Sequence, residues 1–307
     1  MPDPSSSSTD IQTKPPLPRI QPEPEPPRGL VARFLALWDR EIVQPLRDVE
    51  NESRAFLASP ESRRVDMKVI VTLVTVCVIV TLQFYIDSPQ GLIWALRGLG
   101  LETLAQRYLH LWSDPEHGKL WQLVPFFLMQ MLGGFVLPAL VIRLVFRERV
   151  ADYGTKLHGV LSGWWIYVTM IAVVTPFVIR ASYHPSFQAT YPYYRLASDE
   201  PTWPNMHLWE IAYLLQFFFI EFFLRGFMLH ATKHRFGCYS IFVMTVPYCM
   251  IHFHKPMAET FGAIIAGIAL GFMSLKTRSI WLGTGLHITV AVMMDSLALW
   301  HEGRWWW

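Results

Sequence analysis

Glu221, Arg225, His252, His254, His287 and Asp295 can move protons or bind a metal, and all lie within or at the ends of strongly apolar stretches. In IEFFLRGFMLHATKHR, residues 220–235, Glu221 and Arg225 stand four apart, so on a helix they share a face and can pair. A charge at bilayer depth costs about 2.5–3.5 kcal/mol or more, so such residues face a bundle interior and often mark function. A structural ion pair that fixes helix packing is the competing reading. His252 ends PYCMIHFHKP, with His254 two residues on, and His287 sits in GTGLHITVAVMMD. Asp295 follows His287 by eight residues, about 2.2 turns, and so returns to roughly the same face. A lone histidine in an apolar helix is usually a core residue with its hydrogen bonds met. Two histidines with a glutamate and an aspartate in one part of a chain supply what acid–base activation of a water requires. Glu221, His252 and His287 could also hold a divalent metal such as zinc, with water in the fourth position. No HExxH occurs, so the common zinc-protease signature is missing and the cofactor stays open.

The elements that must carry these residues are membrane helices. Of 307 residues, 52% are hydrophobic and 16% charged, against about 25% charged in a typical soluble domain. A formal charge of +2 gives no reason to expect a nucleic-acid partner. Cys77, Cys238 and Cys249 lie in apolar stretches without CxxC spacing and read as small buried hydrophobes. Residues 1–29 form a Pro/Ser-rich tail without an apolar signal region, too poor in apolar side chains to offset chain entropy, and are expected to be disordered. Residues 30–67 are amphipathic and are expected at the membrane surface or beneath the bundle. Residues 68–200 hold the N-terminal membrane helices and 201–307 the core with the candidate site. A span needs about 20 mostly apolar residues. The candidates are 68–86, 119–143, 158–180, 208–229, 238–253, 259–275 and 280–300, about seven, in an all-α polytopic bundle. The stretch 90–112 reads as an interfacial helix, with an eighth span as the alternative. Loops 143–157 and 230–237 and the turn near 277 carry Lys and Arg, so the positive-inside rule puts them and the N-terminus in the cytoplasm. The C-terminal Trp305, Trp306 and Trp307 then meet the outer headgroup level. Ala263, Gly267 and Gly271 repeat every four residues, which lets two helix backbones approach closely.

With these motifs in order, the last third of the chain resembles the CPBP family, the CAAX protease and bacteriocin-processing enzymes of membranes. That family carries EExxxR, then FxxxH on the next helix, then HxxxN after a Gly-rich span and a basic turn. Here the counterparts are EFFLRGF (221–227), YCMIH (248–252) and GAIIAGIALGFMSLKTRSIWLGTGLH (262–287). The departures are specific. Ile220 stands for the first glutamate, Tyr248 for the Phe and Ala291 for the Asn, with Asp295 as the nearest polar substitute. The resemblance implies an intramembrane endopeptidase. Glu221, oriented by Arg225, and His252 would activate water, while His287, helped by Asp295, would stabilise the oxyanion. Its partners would be membrane lipid and a membrane-associated protein or peptide substrate, and its location the bacterial inner (plasma) membrane. The rival is a catalytically inactive relative that binds or scaffolds a membrane partner. A proton-relaying transporter is disfavoured, because the hydropathy of the two halves shows no inverted repeat.

Overall fold

The computed structural model describes residues 29–115, 117–157, 160, 164–197, 200–253 and 255–306. Residues 1–28 of the expected disordered tail, the first residues of the expected third span, His254 and Trp307 lie outside them. The regular structure of the described residues is all helix, with no strand. The helices are α1 (Leu30–Trp38), α2 (Gln44–Ala58), α3 (Met67–Ile86), α4 (Pro89–Gly98), α5 (Glu102–Trp112), α6 (Gly118–Phe146), α7 (Trp164–Ser182), α8 (Asn205–Phe236), α9 (Tyr239–Met250), α10 (Met257–Thr277) and α11 (Trp281–His301).

Among the described residues, six of these, α3, α6, α7, α8, α10 and α11, are long and apolar enough to cross a membrane. The apolar α9 is shorter, at 12 residues. In hydrocarbon every backbone N–H and C=O must find a partner within its own segment, and a helix provides one. The chain is therefore an integral-membrane helix bundle, as the apolar runs predict. Residues 90–112 do not supply an eighth span. They break into α4 and α5, which fold against each other through Ile93, Ala105 and Tyr108. Neither piece is long enough to cross.

Two features position the core. Gly267 and Gly271 let α10 lie against α9: an added Cβ would sit 2.9 Å from Thr245 and 3.1 Å from the Tyr248 ring at the first, and 2.9 Å from Met244 at the second. The predicted small-residue seam is thus a real close approach. The second feature is irregular. After Glu221, α8 passes through a π-helical stretch, Phe222–Met228, in which every side chain is buried.

The loops gather at two ends. At one, α2 lies under the bundle. Glu52 pairs with Lys233 at 3.0 Å and Arg278 at 2.7 Å, Glu41 pairs with Lys276, and Asp66 meets His234 at 2.8 Å. Lys68 holds Glu148 at 2.7 Å, which brings the loop after α6 to the same end. Gly237 ends α8 at φ +54°, where α2 passes so close that a Cβ would fall 2.5 Å from Glu50 Oε2. At the other end, the Tyr191 hydroxyl donates to Glu259, Arg304 donates to the Ala197 carbonyl, and Thr202 donates to the Trp306 carbonyl. The Lys- and Arg-bearing loops therefore gather at one end of the bundle.

Candidate functional site

Glu221 closes the regular part of α8, and Arg225 lies in the π-helical stretch that follows. Single π-turns inside α-helices occur often at functional sites. The Arg225 side chain is 0% exposed and that of Glu221 1%, with Nη1 3.0 Å from Oε1. The guanidinium carbon lies 3.8 Å from the centre of the Tyr248 ring, a cation–π contact. The Nη1–Oε1 approach is not aligned as a hydrogen bond, and none of the Arg225 nitrogens has a hydrogen-bond partner. Charge pairing with Glu221 and the Tyr248 ring face are thus what compensate this arginine. Glu221 is equally confined: a Cβ on Gly283 would meet its Oε2 at 2.8 Å. Glycine at 283 lets α11 approach the carboxylate.

His287, one to two turns into α11, bridges two helices. Its Nδ1 is 3.0 Å from Glu221 Oε1 and its Nε2 is 2.8 Å from the Tyr248 hydroxyl. The ring stacks on Phe217 at 5.5 Å between centroids. His252 follows the end of α9, where its Nδ1 lies 2.8 Å from the Tyr248 carbonyl. A carbonyl only accepts, so Nδ1 carries the proton and Nε2 of the neutral ring keeps its lone pair. The His252 ring meets the Tyr248 ring edge-on at 4.7 Å.

The structure therefore brings Glu221, Arg225, His252 and His287 together around Tyr248. Asp295 is not part of this group. It shares a helix face with His287, but eight residues of α11 put it about 12 Å along the axis. There it faces the Glu210 carboxyl of α8, both side chains buried. Sequence reasoning passed over Glu210, although an acid inside an apolar span carries the same signal as Glu221. It also took Tyr248 only as the counterpart of a motif Phe, whereas its hydroxyl and carbonyl tie the two histidines together.

The same geometry tests a metal at Glu221, His252 and His287. Among the described residues no three His, Cys, Asp or Glu side chains form a metal-holding group. His287 Nε2 is engaged with the Tyr248 hydroxyl, and Glu221 is paired with Arg225. This donor set does not fit a metal centre.

Residues 202–293 match the family model described as Type II CAAX prenyl endopeptidase Rce1-like. That segment holds Glu221, Arg225, Tyr248, His252 and His287 and stops short of Asp295. The match supports assigning this core to the CPBP/CAAX protease family. No curated protein and no solved structure matches the chain.

Proposed function

Taking residues 202–293 as a core of the CPBP/CAAX protease family, we propose that this chain is an intramembrane endopeptidase that cleaves a membrane-associated protein or peptide with an activated water. One observation carries the reading: the buried Glu221–Arg225 pair, His287 and His252 converge on Tyr248 inside the matched segment. Polar groups this costly to bury in a membrane core are kept for chemistry or packing, and the free His252 Nε2 lone pair favours chemistry.

In this reading His252 Nε2 takes a proton from water. The oxygen bonds to the carbonyl carbon, and the carbonyl electron pair moves onto oxygen. The C–N bond then breaks, and the amine leaves with the proton that His252 held. Glu221, anchored by Arg225, keeps His287 in place beside the developing oxyanion. Asp295 has no step here.

The family description makes a prenylated CAAX end the first substrate to try. We place the α2 end of the bundle in the cytoplasm of a bacterial inner membrane, on the strength of the Lys and Arg gathered there. The second reading, an inactive relative that binds a membrane partner, draws on Ile220, which stands where the family carries a glutamate. The two are separated by comparing the proteins of membranes that carry the wild type or His252→Ala. Cleavage products that vanish with the substitution support the endopeptidase. Identical product sets support the binding role.

A further inference from the structure

We propose that the Tyr248 hydroxyl is the oxyanion donor of this site. The inference rests on the endopeptidase reading and adds a residue to it. His287 Nε2 is taken up by the Tyr248 hydroxyl at 2.8 Å, while its Nδ1, 3.0 Å from Glu221 Oε1, makes no aligned hydrogen bond. Whichever of the two donates to the other, the neutral phenol of Tyr248 keeps an O–H of its own. Any substrate oxygen that comes to the Nε2 side of His287 meets the tyrosine hydroxyl first, because the two atoms are 2.8 Å apart. The hydrogen available at that corner is Tyr248's own.

The hydroxyl is also held in place. Arg225 lies over the ring face at 3.8 Å, His252 packs edge-on at 4.7 Å, and Gly267 leaves only the ring's own width, since a Cβ there would come within 3.1 Å of Cδ1. A donor fixed before the reaction is worth far more than one that must reorganise. The base and the donor are keyed to one residue: His252 is bonded to the Tyr248 carbonyl, one helical turn away. One turn after His287, Ala291 offers no polar atom, and the family resemblance places an Asn there and a Phe at 248. Of these two positions, 248 carries a polar donor and 291 does not.

In the reaction, His252 Nε2 takes the water proton as the C–O bond forms. The Tyr248 O–H turns to the oxyanion and keeps its own proton. When the intermediate collapses, the amine takes the proton from His252 and the hydroxyl returns to His287.

The test uses the full chain in liposomes with two fluorogenic peptides, one ending in a farnesylated CAAX sequence and its unprenylated twin. Tyr248→Phe keeps the ring and the Arg225 contact and removes the hydroxyl alone. The expected result is a kcat lower by about 10²–10³-fold, with KM within about threefold. Tyr248→Phe combined with Ala291→Asn should recover at least about tenfold of that loss. A second readout needs no turnover: the His287 Nε2 nitrogen resonance in 15N-histidine-labelled protein should shift in Tyr248→Phe. An unshifted resonance, or a kcat equal to wild type, overturns the inference and leaves the endopeptidase reading standing. A wild type that cleaves neither peptide while the resonance does shift overturns the endopeptidase reading and this inference with it.

Discussion

Replacing Glu221 by Gln removes one negative charge from an ion pair whose side chains are 0% and 1% exposed, while keeping the side chain's shape. With Nη1 and Oε1 at 3.0 Å, the pair's attraction at an effective dielectric of 20 is about 5–6 kcal/mol. The Gln carbonyl can still face the guanidinium, and a hydrogen bond to a charged group returns about 1.5–3 kcal/mol. The Tyr248 face is unaltered and contributes about 2 kcal/mol in a dry setting. The net loss is therefore expected near 3 kcal/mol, the lower end of the 3–5 kcal/mol typical for a stranded buried charge. Against a total of about 5–15 kcal/mol, that is a large fraction. Thermal unfolding in detergent, followed by loss of helical circular dichroism, should show a midpoint lower by on the order of 10 °C. Glu221→Gln combined with Arg225→Gln removes the stranded cation and should regain part of that loss. Glu221→Gln with a wild-type midpoint would refute the reasoning, since Arg225 would then draw its compensation from elsewhere.

Gly267→Ala places a methyl 2.9 Å from Thr245 and 3.1 Å from the Tyr248 ring; overpacking of this kind costs about 1–3 kcal/mol, read as a lower unfolding midpoint together with reduced peptide cleavage. Asp295→Asn is expected to leave kcat within a few-fold, because the side chain faces Glu210; a loss above about a hundredfold would return Asp295 to the site. The contact between the bundle and the segment that runs from Glu41 into α2 should weaken in acid. Lys276 holds the Glu41 carboxyl below its ordinary 4.5, and at Glu52 burial pushes up but Lys233 and Arg278 outweigh it and hold it low. Both carboxyls are lowered on folding, so their stabilisation is full above the unfolded value and fades as pH falls through the folded one. Cross-linking between cysteines placed on α2 and α10 should therefore decline below about pH 4.5, and Glu41→Gln with Glu52→Gln should flatten that dependence.

Much of this arrangement was legible along the chain, and the parts that were not have physical reasons. Apolar runs of span length identify membrane helices directly, because lipid leaves the backbone few alternatives. The Ala263–Gly267–Gly271 seam follows from helical spacing alone. Residues 90–112 misled because a mixed pattern of that length fits one long interfacial helix as well as the two short ones that form. The Asp295 expectation used angular position and neglected distance along the axis, where two turns separate it from His287. The π-helical stretch around Arg225 has no period that a search for α-helical spacing detects. The Glu221–His287 contact joins residues far apart in sequence, and motif order says that such groups meet without saying through which atoms. Tyr248 was hidden for that reason: a Phe-to-Tyr difference looks conservative in a motif, and its consequence shows only when His287 Nε2 is seen at 2.8 Å.

The account stands on a water activated at the His252 side of this cluster. The most direct measurement is mass spectrometry of the farnesylated CAAX peptide after incubation with the purified chain in H2 18O, wild type beside His252→Ala. The account predicts one 18O atom in the new terminal carboxyl group with the wild type and no product with His252→Ala. Equal labelled product from both proteins, or none from the wild type, would contradict it.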